Sequence, residues 1–387
     1  MSNSVTASTW AEINLDNIKF NLKNIKSLLK KDTKVCGVVK ANAYGHGAVQ
    51  ISKLLERENV DYLAVARLEE ALELRQNGIS IPILCLGYVP ECSLEDAVVN
   101  DISLTVFSYE TASIVNEFGK KHNKLGKIHI KIDTGMGRIG LKVNDESVDE
   151  IIKINSLDNL LTEGIFTHFA TADEKDKTYT YNQAQKFNSI INRLENLGIE
   201  IPIKHVSNSA AIMDFRDLNF NMVRCGIILY GHYPSDEVNK EVLNIKPAMT
   251  LKSRVSYIKE LSANTGISYG LKYKTKLNER IVTIPIGYAD GFTRMQKNPK
   301  VYIQNQEFDV VGRICMDQCM AKIDKEIDIK IGDEVIIFSE SKNQCVEKLA
   351  NNLGTINYEI LCMVARRVER VYMERNAIVQ RDNYLIK

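Results

Sequence analysis

A chain of 387 residues exceeds the usual size of one hydrophobic core, so two domains are the default. With 44% of residues apolar, 26% charged and a formal net charge of +1, it has the composition of an ordinary soluble globule, with no basic field for nucleic acid and no acidic tail for a basic partner. Residues Met1 to Thr9 carry no basic n-region and no apolar core of signal-peptide length, and no later segment approaches the roughly 18 apolar residues of a membrane span. The cytoplasm is therefore the expected compartment, with no membrane partner. Eight cysteines, at 36, 85, 92, 225, 315, 319, 345 and 362, suit buried reduced thiols better than a disulfide framework. Cys315 and Cys319 have zinc-like spacing, but the other near pair, Cys85 and Cys92, has no histidine beside it, so no metal is expected.

Residues 1–14 are expected to contain a strand that joins the C-terminal domain. Asp16 then precedes Ile18, Leu22, Ile25, Leu28 and Leu29, an apolar stripe of helical period behind a good N-cap. Short β-rich runs follow at Val35–Val39, Tyr62–Val65, Ile83–Leu86, Leu104–Phe107, Lys127–Ile132, Thr162–Thr167, Ile203–Val206 and Asn221–Cys225, with amphipathic segments between them. One of these segments, Leu68, Ala71, Leu72 and Leu74, should end at Gly78. Eight such units predict an α/β fold, a closed (β/α)8 TIM-like barrel over 15–246, with a three-layer α/β sheet as the alternative.

After Lys246-Pro247 the pattern changes. Leu251–Ile258, Arg280–Ile286, Val301–Ile303, Phe308–Ile314, Glu334–Phe338 and Met363–Tyr372 are β-like, and Gln344–Leu353 is the one clear helix candidate. Residues 247–387 are therefore predicted to form a mainly antiparallel β domain.

In a barrel, the residues just past each strand face one common mouth. Lys40 ends the first apolar run and is followed by Ala41-Asn42-Ala43-Tyr44-Gly45-His46-Gly47. A lysine there loses hydration, its pKa falls, and it can condense with an aldehyde cofactor; a snorkelling surface lysine is the plainer reading. Asp133-Thr134-Gly135-Met136-Gly137-Arg138 opens a polar loop whose guanidinium could hold a carboxylate or phenolate, or could simply pair with Asp133. Ser207, Asn208 and Ser209 offer donors where barrels commonly bind phosphate, although helix capping at Ser207 or Asn208 would look the same. Arg224 sits inside the apolar strand Phe220–Gly226, where a charge must be paired or bound to a ligand.

At these residues the chain resembles the alanine racemase family. The resemblance runs from Ala11-Glu12-Ile13-Asn14-Leu15 to Asn357-Tyr358-Glu359 and includes Val39–Gly47, Lys131–Arg138, Gly164–Phe169, His205–Ala210, Ile267-Ser268-Tyr269-Gly270, Gly287–Gly291 and Gly312–Asp317. It implies a bacterial pyridoxal-phosphate enzyme that interconverts L- and D-alanine for the cell wall, working as a homodimer whose second domain completes the partner's site. By that resemblance Lys40 carries the cofactor and is the base on one face of the substrate Cα, and Tyr269 of the other subunit is the base on the opposite face. Arg224 is implied at the pyridine nitrogen, with His168 beside it, and Arg138 at the phenolic oxygen and the substrate. Tyr44, Asn208, Ser209, Gly226, Ile227 and Tyr358 fall at cofactor-binding positions and Met316 at a contact to the substrate carboxylate. Lys131 matches a lysine that becomes a carbamate in many relatives, and Asp173, Tyr288, Arg294 and Arg313 match an entry corridor.

These roles are chemically coherent. Racemisation needs a proton removed on one face and returned on the other, and a single fixed base would mostly replace the proton it had taken. Tyrosine, with a pKa near 10, needs positive neighbours to serve as a base. A broad-specificity alanine and serine racemase of the same fold is the near alternative, because one methylene in a pocket is worth only about 1–3 kcal/mol. An amino-acid decarboxylase, a cofactor-binding carrier and a purely structural barrel are the more distant ones.

Overall fold

The computed structural model describes residues 5–386; residues 1–4 of the expected N-terminal segment and Lys387 lie outside the described residues. The chain divides into two compact units. One comprises Lys19–Ala43 and Ala48–Ile245, and the other the residues up to Ile18, the tetrapeptide Tyr44–Gly47 and the chain from Lys246 onward. Among the described residues no helix is long and apolar enough to cross a membrane.

The chain opens on β1 (Thr9–Asn14), after which eight parallel strands build the first unit. They are β2 (Lys34–Val38), β3 (Tyr62–Val65), β4 (Ile83–Cys85), β5 (Ser103–Val106), β6 (Gly126–Lys131), β7 (Leu160–Phe166), β8 (Ile203–His205) and β9 (Met222–Cys225). Their order is β8-β7-β6-β5-β4-β3-β2-β9, and the Arg224 N–H donates to Ser207 O at 3.1 Å between the two ends, so the sheet closes on itself. The TIM-like barrel is therefore the architecture, and the three-layer alternative falls away. Strands β3, β4, β5 and β9 are buried along their whole length, as continuous apolar runs are when a ring of helices covers a parallel sheet.

Helix ends follow from local chemistry. Ser108 accepts from Thr111 N–H to cap Tyr109–His122, and Asn144 accepts from Ser147 N–H to cap Asp145–Asn155. The helix Leu68–Gln76 ends as expected, with Gly78 at φ +86° and its N–H on Arg75 O. The first helix, Leu15–Ser27, differs from expectation. Asn14 is the cap, its Oδ1 accepting from Asn17 N–H at 3.0 Å, and Asp16 lies in the first turn, where a carboxylate favours the helix dipole without capping.

In the second unit β1 pairs antiparallel with β10 (Met249–Arg254) and parallel with β19 (Glu369–Glu374). The remaining strands are β11 (Tyr257–Leu261), β12 (Gly266–Ile267), β13 (Tyr273–Lys274), β14 (Glu279–Ile284), β15 (Lys300–Ile303), β16 (Gln306–Asp309), β17 (Cys319–Ile323), β18 (Glu334–Phe338) and β20 (Ala377–Asp382). They form a seven-stranded sheet, β16-β15-β18-β10-β1-β19-β20, a three-stranded sheet, β11-β14-β17, and the β12-β13 pair. All pairings except β1 with β19 are antiparallel in this unit.

Three expected runs are revised. Leu251–Ile258 is two strands in different sheets, because the Val255 N–H turns to Asp333 O and the Ser256 N–H to Thr283 O. Phe308–Ile314 leaves β15 after Asp309, where Val310 makes an isolated antiparallel bridge to Ala321 and the Val311 N–H bonds to Met320 O, and Gly312 at φ +72° then turns the chain. Met363–Tyr372 begins at the end of a helix, Asn357–Met363, whose Ile360 and Leu361 are buried; only Glu369 onward is strand. The expected helix Gln344–Leu353 starts two residues later, at Val346.

Candidate active site

Lys40 leaves the end of β2 and enters an uncommon turn. Ala41, Asn42, Ala43 and Tyr44 all have φ between 52° and 55°, one turn of left-handed helix built without glycine. Each such residue costs about 1–2 kcal/mol, so the surroundings must impose the shape. Glu70 does much of this. Its Oε1 accepts the Ala41 N–H at 2.6 Å, while its Oε2 accepts those of Ala66 and Arg67 at 2.8 and 3.1 Å. Ala43 N–H bonds to Val39 O and Asn42 Oδ1 accepts from Ala48 N–H, which fixes the turn on both sides.

Arg224 points from β9 into the barrel and is 3% exposed. Its Nη1 donates to His205 Nδ1 at 2.8 Å and to His205 O at 3.2 Å. Its Nη2 donates to Thr167 O at 2.9 Å, Val206 O at 3.0 Å and His168 Nδ1 at 3.2 Å. Burial brings the guanidinium down to about 10, with Arg138 adding to the effect, so it stays charged at neutral pH. An arginine cannot accept, so the nitrogen it meets on His168 must be bare, and the neutral ring carries its proton on Nε2. Burial, followed by the charges of Arg224, Lys131, Arg138 and Lys40, holds the His168 pKa well below the ordinary value.

Lys131, at the end of β6, is 3% exposed, and its Nζ has no hydrogen-bond partner among the described residues. It lies 4.6 Å above the Phe166 ring, and burial together with Arg224 and Arg138 holds its pKa well below the usual lysine value. Asp133 does not pair with Arg138. Its Oδ1 accepts the Gly135 and Gly137 N–H groups at 2.9 and 3.1 Å, which outweigh burial and keep the carboxyl below its usual pKa. Arg138 is exposed, with no carboxylate within 4.0 Å among the described residues.

Two helix starts meet at the ends of β8 and β9. Asn208 caps Ser209–Asp214 through Ala211 N–H at 3.0 Å, and a short 3-10 helix, Ile227–Tyr230, starts beyond Gly226. The Gly226 N–H donates to Ser209 Oγ at 3.1 Å, which draws the two together. Of the two expected capping residues, then, Asn208 caps, and Ser207 Oγ is buried without a hydrogen-bond partner among the described residues. Asp173 is half-buried, its carbonyl accepting from Ser235 Oγ.

In the second unit Tyr44 and Tyr358 lie with ring centroids 6.0 Å apart, and burial pushes the Tyr44 phenol up. Tyr269 is 66% exposed in a strained turn: Ser268 has φ 62° and ψ −178°, a region essentially reserved for glycine, and Leu271 has φ 47°. Ser268 Oγ holds the turn by donating to Arg313 O at 2.6 Å, with Cys315 Sγ 3.5 Å away. The Tyr288 and Ala289 N–H groups donate to Cys315 O and Met316 O. Tyr269, Tyr288, Arg313 and Met316 are thus joined by one set of loops; Arg294 is exposed on the following stretch.

Sequence reasoning missed Glu70, His129, Glu163 and His205. The signal was present in the last three: polar residues inside runs read as strands, Lys127–Ile132, Thr162–Thr167 and Ile203–Val206.

A closed barrel with titratable groups gathered at its strand ends is the build of an enzyme. Residues 13–234 match the model of the alanine racemase N-terminal domain, and residues 248–372 that of the alanine racemase C-terminal domain. An alanine racemase of Methanococcus maripaludis is 51% identical over 371 residues, 95% of this chain and 100% of its own length. The structure of an alanine racemase from Clostridium difficile 630 is 60% identical with a TM-score of 0.97, covering 99% of this chain and 100% of its own. That of an alanine racemase from Bacillus anthracis with bound L-Ala-P is 36% identical with a TM-score of 0.92, covering 99% of each chain. This chain belongs to the alanine racemase family and is an isomerase.

Proposed function

We propose that this chain interconverts L- and D-alanine, with pyridoxal phosphate held on Lys40, and so supplies D-alanine for peptidoglycan. The observation that carries the reading is Arg224: a buried, charged guanidinium whose five bonds to barrel groups fix it beside His168, on which the Lys40 charge also acts. The donor set suits a phosphorylated pyridine aldehyde. The two joined helix starts offer N–H groups to an anion, and Ser207 Oγ and Lys131 Nζ are buried with hydrogen-bonding capacity unused. Ser209, Gly226 and Ile227, with Asn208, would hold the phosphate, a role that the family resemblance also gives to Tyr44 and Tyr358; Arg224 would face the ring nitrogen and Arg138 the phenolic oxygen.

Pyridoxal phosphate, when bound, makes the Cα–H bond of an amino acid joined to it acidic. Lys40 then takes or returns the proton on one face of Cα. Tyr269 of the partner subunit does so on the other face, which its exposure on its own chain permits. His168, bare at Nδ1 and protonated at Nε2, has a donor to offer that phenolate, and a donor on the ionised form lowers a tyrosine pKa. Met316 of the partner subunit would bind the substrate carboxylate, and Asp173, Tyr288, Arg294 and Arg313 would line the way in. The working unit is a homodimer formed by the barrel region 15–246 of one subunit and the β region 247–387 of the other.

Lys131 completes the reading as a carbamate. A neutral amine attacks carbon dioxide, an N–C bond forms, one proton leaves to solvent, and the resulting anion pairs with Arg138. The low basicity of Lys131 and its partnerless Nζ support this.

The test is hydride reduction of the holoenzyme followed by peptide mass analysis, together with racemisation assays from both enantiomers of alanine and serine. The reading requires the pyridoxyl group on Lys40 and faster turnover of alanine. An adduct on another amine, or none, would defeat it.

A further inference from the structure

Behind Arg224 the barrel interior holds a row of polar groups that the proposed chemistry does not use. His205 Nδ1 accepts from Arg224 Nη1, and His205 Nε2 lies 2.9 Å from His129 Nδ1. His129 Nε2 is buried with no hydrogen-bond partner among the described residues, and Glu163 Oε2 stands 3.7 Å from it, beyond hydrogen-bond reach. Ser103 Oγ donates to that same oxygen at 2.5 Å. The five residues come from β5, β6, β7, β8 and β9.

The fold makes room for this row. An ideal Cβ on Gly164 would fall 2.3 Å from His129 Nδ1, so only glycine on β7 admits the ring, and the register between β6 and β7 shifts beside it, between Ile128 and His129. The His205 ring stacks on Phe166 at 4.6 Å with 5° between planes, and Tyr62 meets the His129 ring edge-on at 5.8 Å.

Hydrogen-bond direction is fixed from one end. The guanidinium only donates, so His205 Nδ1 is bare and its one proton is on Nε2. That proton donates to His129 Nδ1, which must then be bare in turn. His129 carries its proton on Nε2, the side of the ring that the Glu163 carboxylate faces at 3.7 Å. Protonating either ring, or moving either proton to Nδ1, sets two hydrogens against each other and breaks the chain.

We propose that His129 and Glu163 are positioning residues for Arg224: His129 Nδ1 accepts the Nε2 proton that Arg224 leaves on His205, with the Glu163 carboxylate facing the far side of the His129 ring, and together they hold the His205 ring and so the guanidinium's orientation at the barrel mouth. Burial, before the charge of Arg224, lowers the pKa of both histidines, so neither ring gains a second proton near neutrality; Lys131 adds to this at His205, and Glu163 opposes it at His129. Lys127 and Tyr62 face the Glu163 end. The functional consequence rests on the reading of Arg224 as the ring-nitrogen contact. The tautomer chain does not.

The experiment is long-range nitrogen–proton NMR on holoenzyme labelled with 15N-histidine, with steady-state kinetics on the same samples. Wild type should show His129 and His205 both neutral and both protonated on Nε2 throughout the neutral range. His129→Leu removes the acceptor, so the His205 proton, kept on Nε2 because Arg224 still donates to Nδ1, should lose its hydrogen-bonded downfield shift, and kcat should fall about tenfold, the loss of roughly one buried hydrogen bond, with KM for alanine changing less than about twofold. Glu163→Gln, whose amide keeps the shape of the side chain and can turn its partly negative oxygen toward His129, should keep both tautomers and stay within about twofold of wild-type kcat. A His205 proton on Nδ1 in wild type, a doubly protonated ring, or an unchanged kcat in a folded His129→Leu variant would overturn the proposal. Arg224→Lys leaving the bound cofactor's absorption spectrum unmoved would instead overturn the ring-nitrogen reading, and the wild-type tautomers still decide the chain.

Discussion

Glu70 reaches across from the helix after β3 to accept the Ala41 N–H at 2.6 Å, one residue past Lys40. One carboxylate thereby holds three backbone donors on two segments and stabilises a left-handed turn that no glycine relieves. Glu70→Ala should destabilise the barrel by about 1–3 kcal/mol, the cost of leaving such donors unmet, and weaken cofactor retention severalfold as the turn relaxes. Urea unfolding and equilibrium dialysis of the cofactor check both. Unchanged values would show that Asn42 and the Val39 carbonyl suffice.

The barrel was legible because its strands are continuous apolar runs with little helical period, and all eight match within two residues at each end. The β region was less so. A period-two pattern marks Met249–Arg254, but a strand that hands its backbone bonds from one sheet to another looks like one longer run, as Leu251–Ile258 did. Ala377–Asp382 is nearly all exposed or half-buried and gives no apolar signal. At the candidate site, Lys40 and Arg224 stand out because a cation in an apolar strand is costly and must have a purpose. Glu70 was invisible because a glutamate in the first turn of a helix is ordinary; only the fold shows which N–H groups it meets.

Gly287 is required by close approach and not by positive φ. A Cβ there would lie 2.3 Å from both Cys315 O and Met316 O. Gly287→Ala should destabilise the β region by about 2–3 kcal/mol and raise KM for alanine, because the Cys315–Met316 backbone must move. Calorimetry and initial rates measure the two effects, and a neutral outcome in both would argue against a role for Met316 at the substrate.

Acid should weaken the barrel. His168 and His205 are held neutral in the fold, with pKa values well below the ordinary one, while in the unfolded chain each takes up a proton near pH 6.5. Below that pH the unfolded state binds more protons, so stability falls as pH falls and is fully present above it. Between pH 7 and 5.5 the two should contribute a loss of about 2–3 kcal/mol, read from urea midpoints. A flat profile would mean that these rings are protonated in the fold.

Lys131 should respond to carbon dioxide. In 13C-bicarbonate the protein should give a carbamate resonance that disappears in Lys131→Gln, and stripping carbon dioxide should lower activity in the parent alone. A resonance that persists in the variant would place the modification elsewhere.

The most direct measurement follows exchange of the alanine Cα proton with solvent deuterium in Tyr269→Phe, started separately from each enantiomer. Opposed proton-moving groups predict that the variant keeps its cofactor, retains exchange from one enantiomer through Lys40, and loses most of it from the other. Equal exchange from L- and D-alanine in that variant would contradict the assignment of the second face to Tyr269.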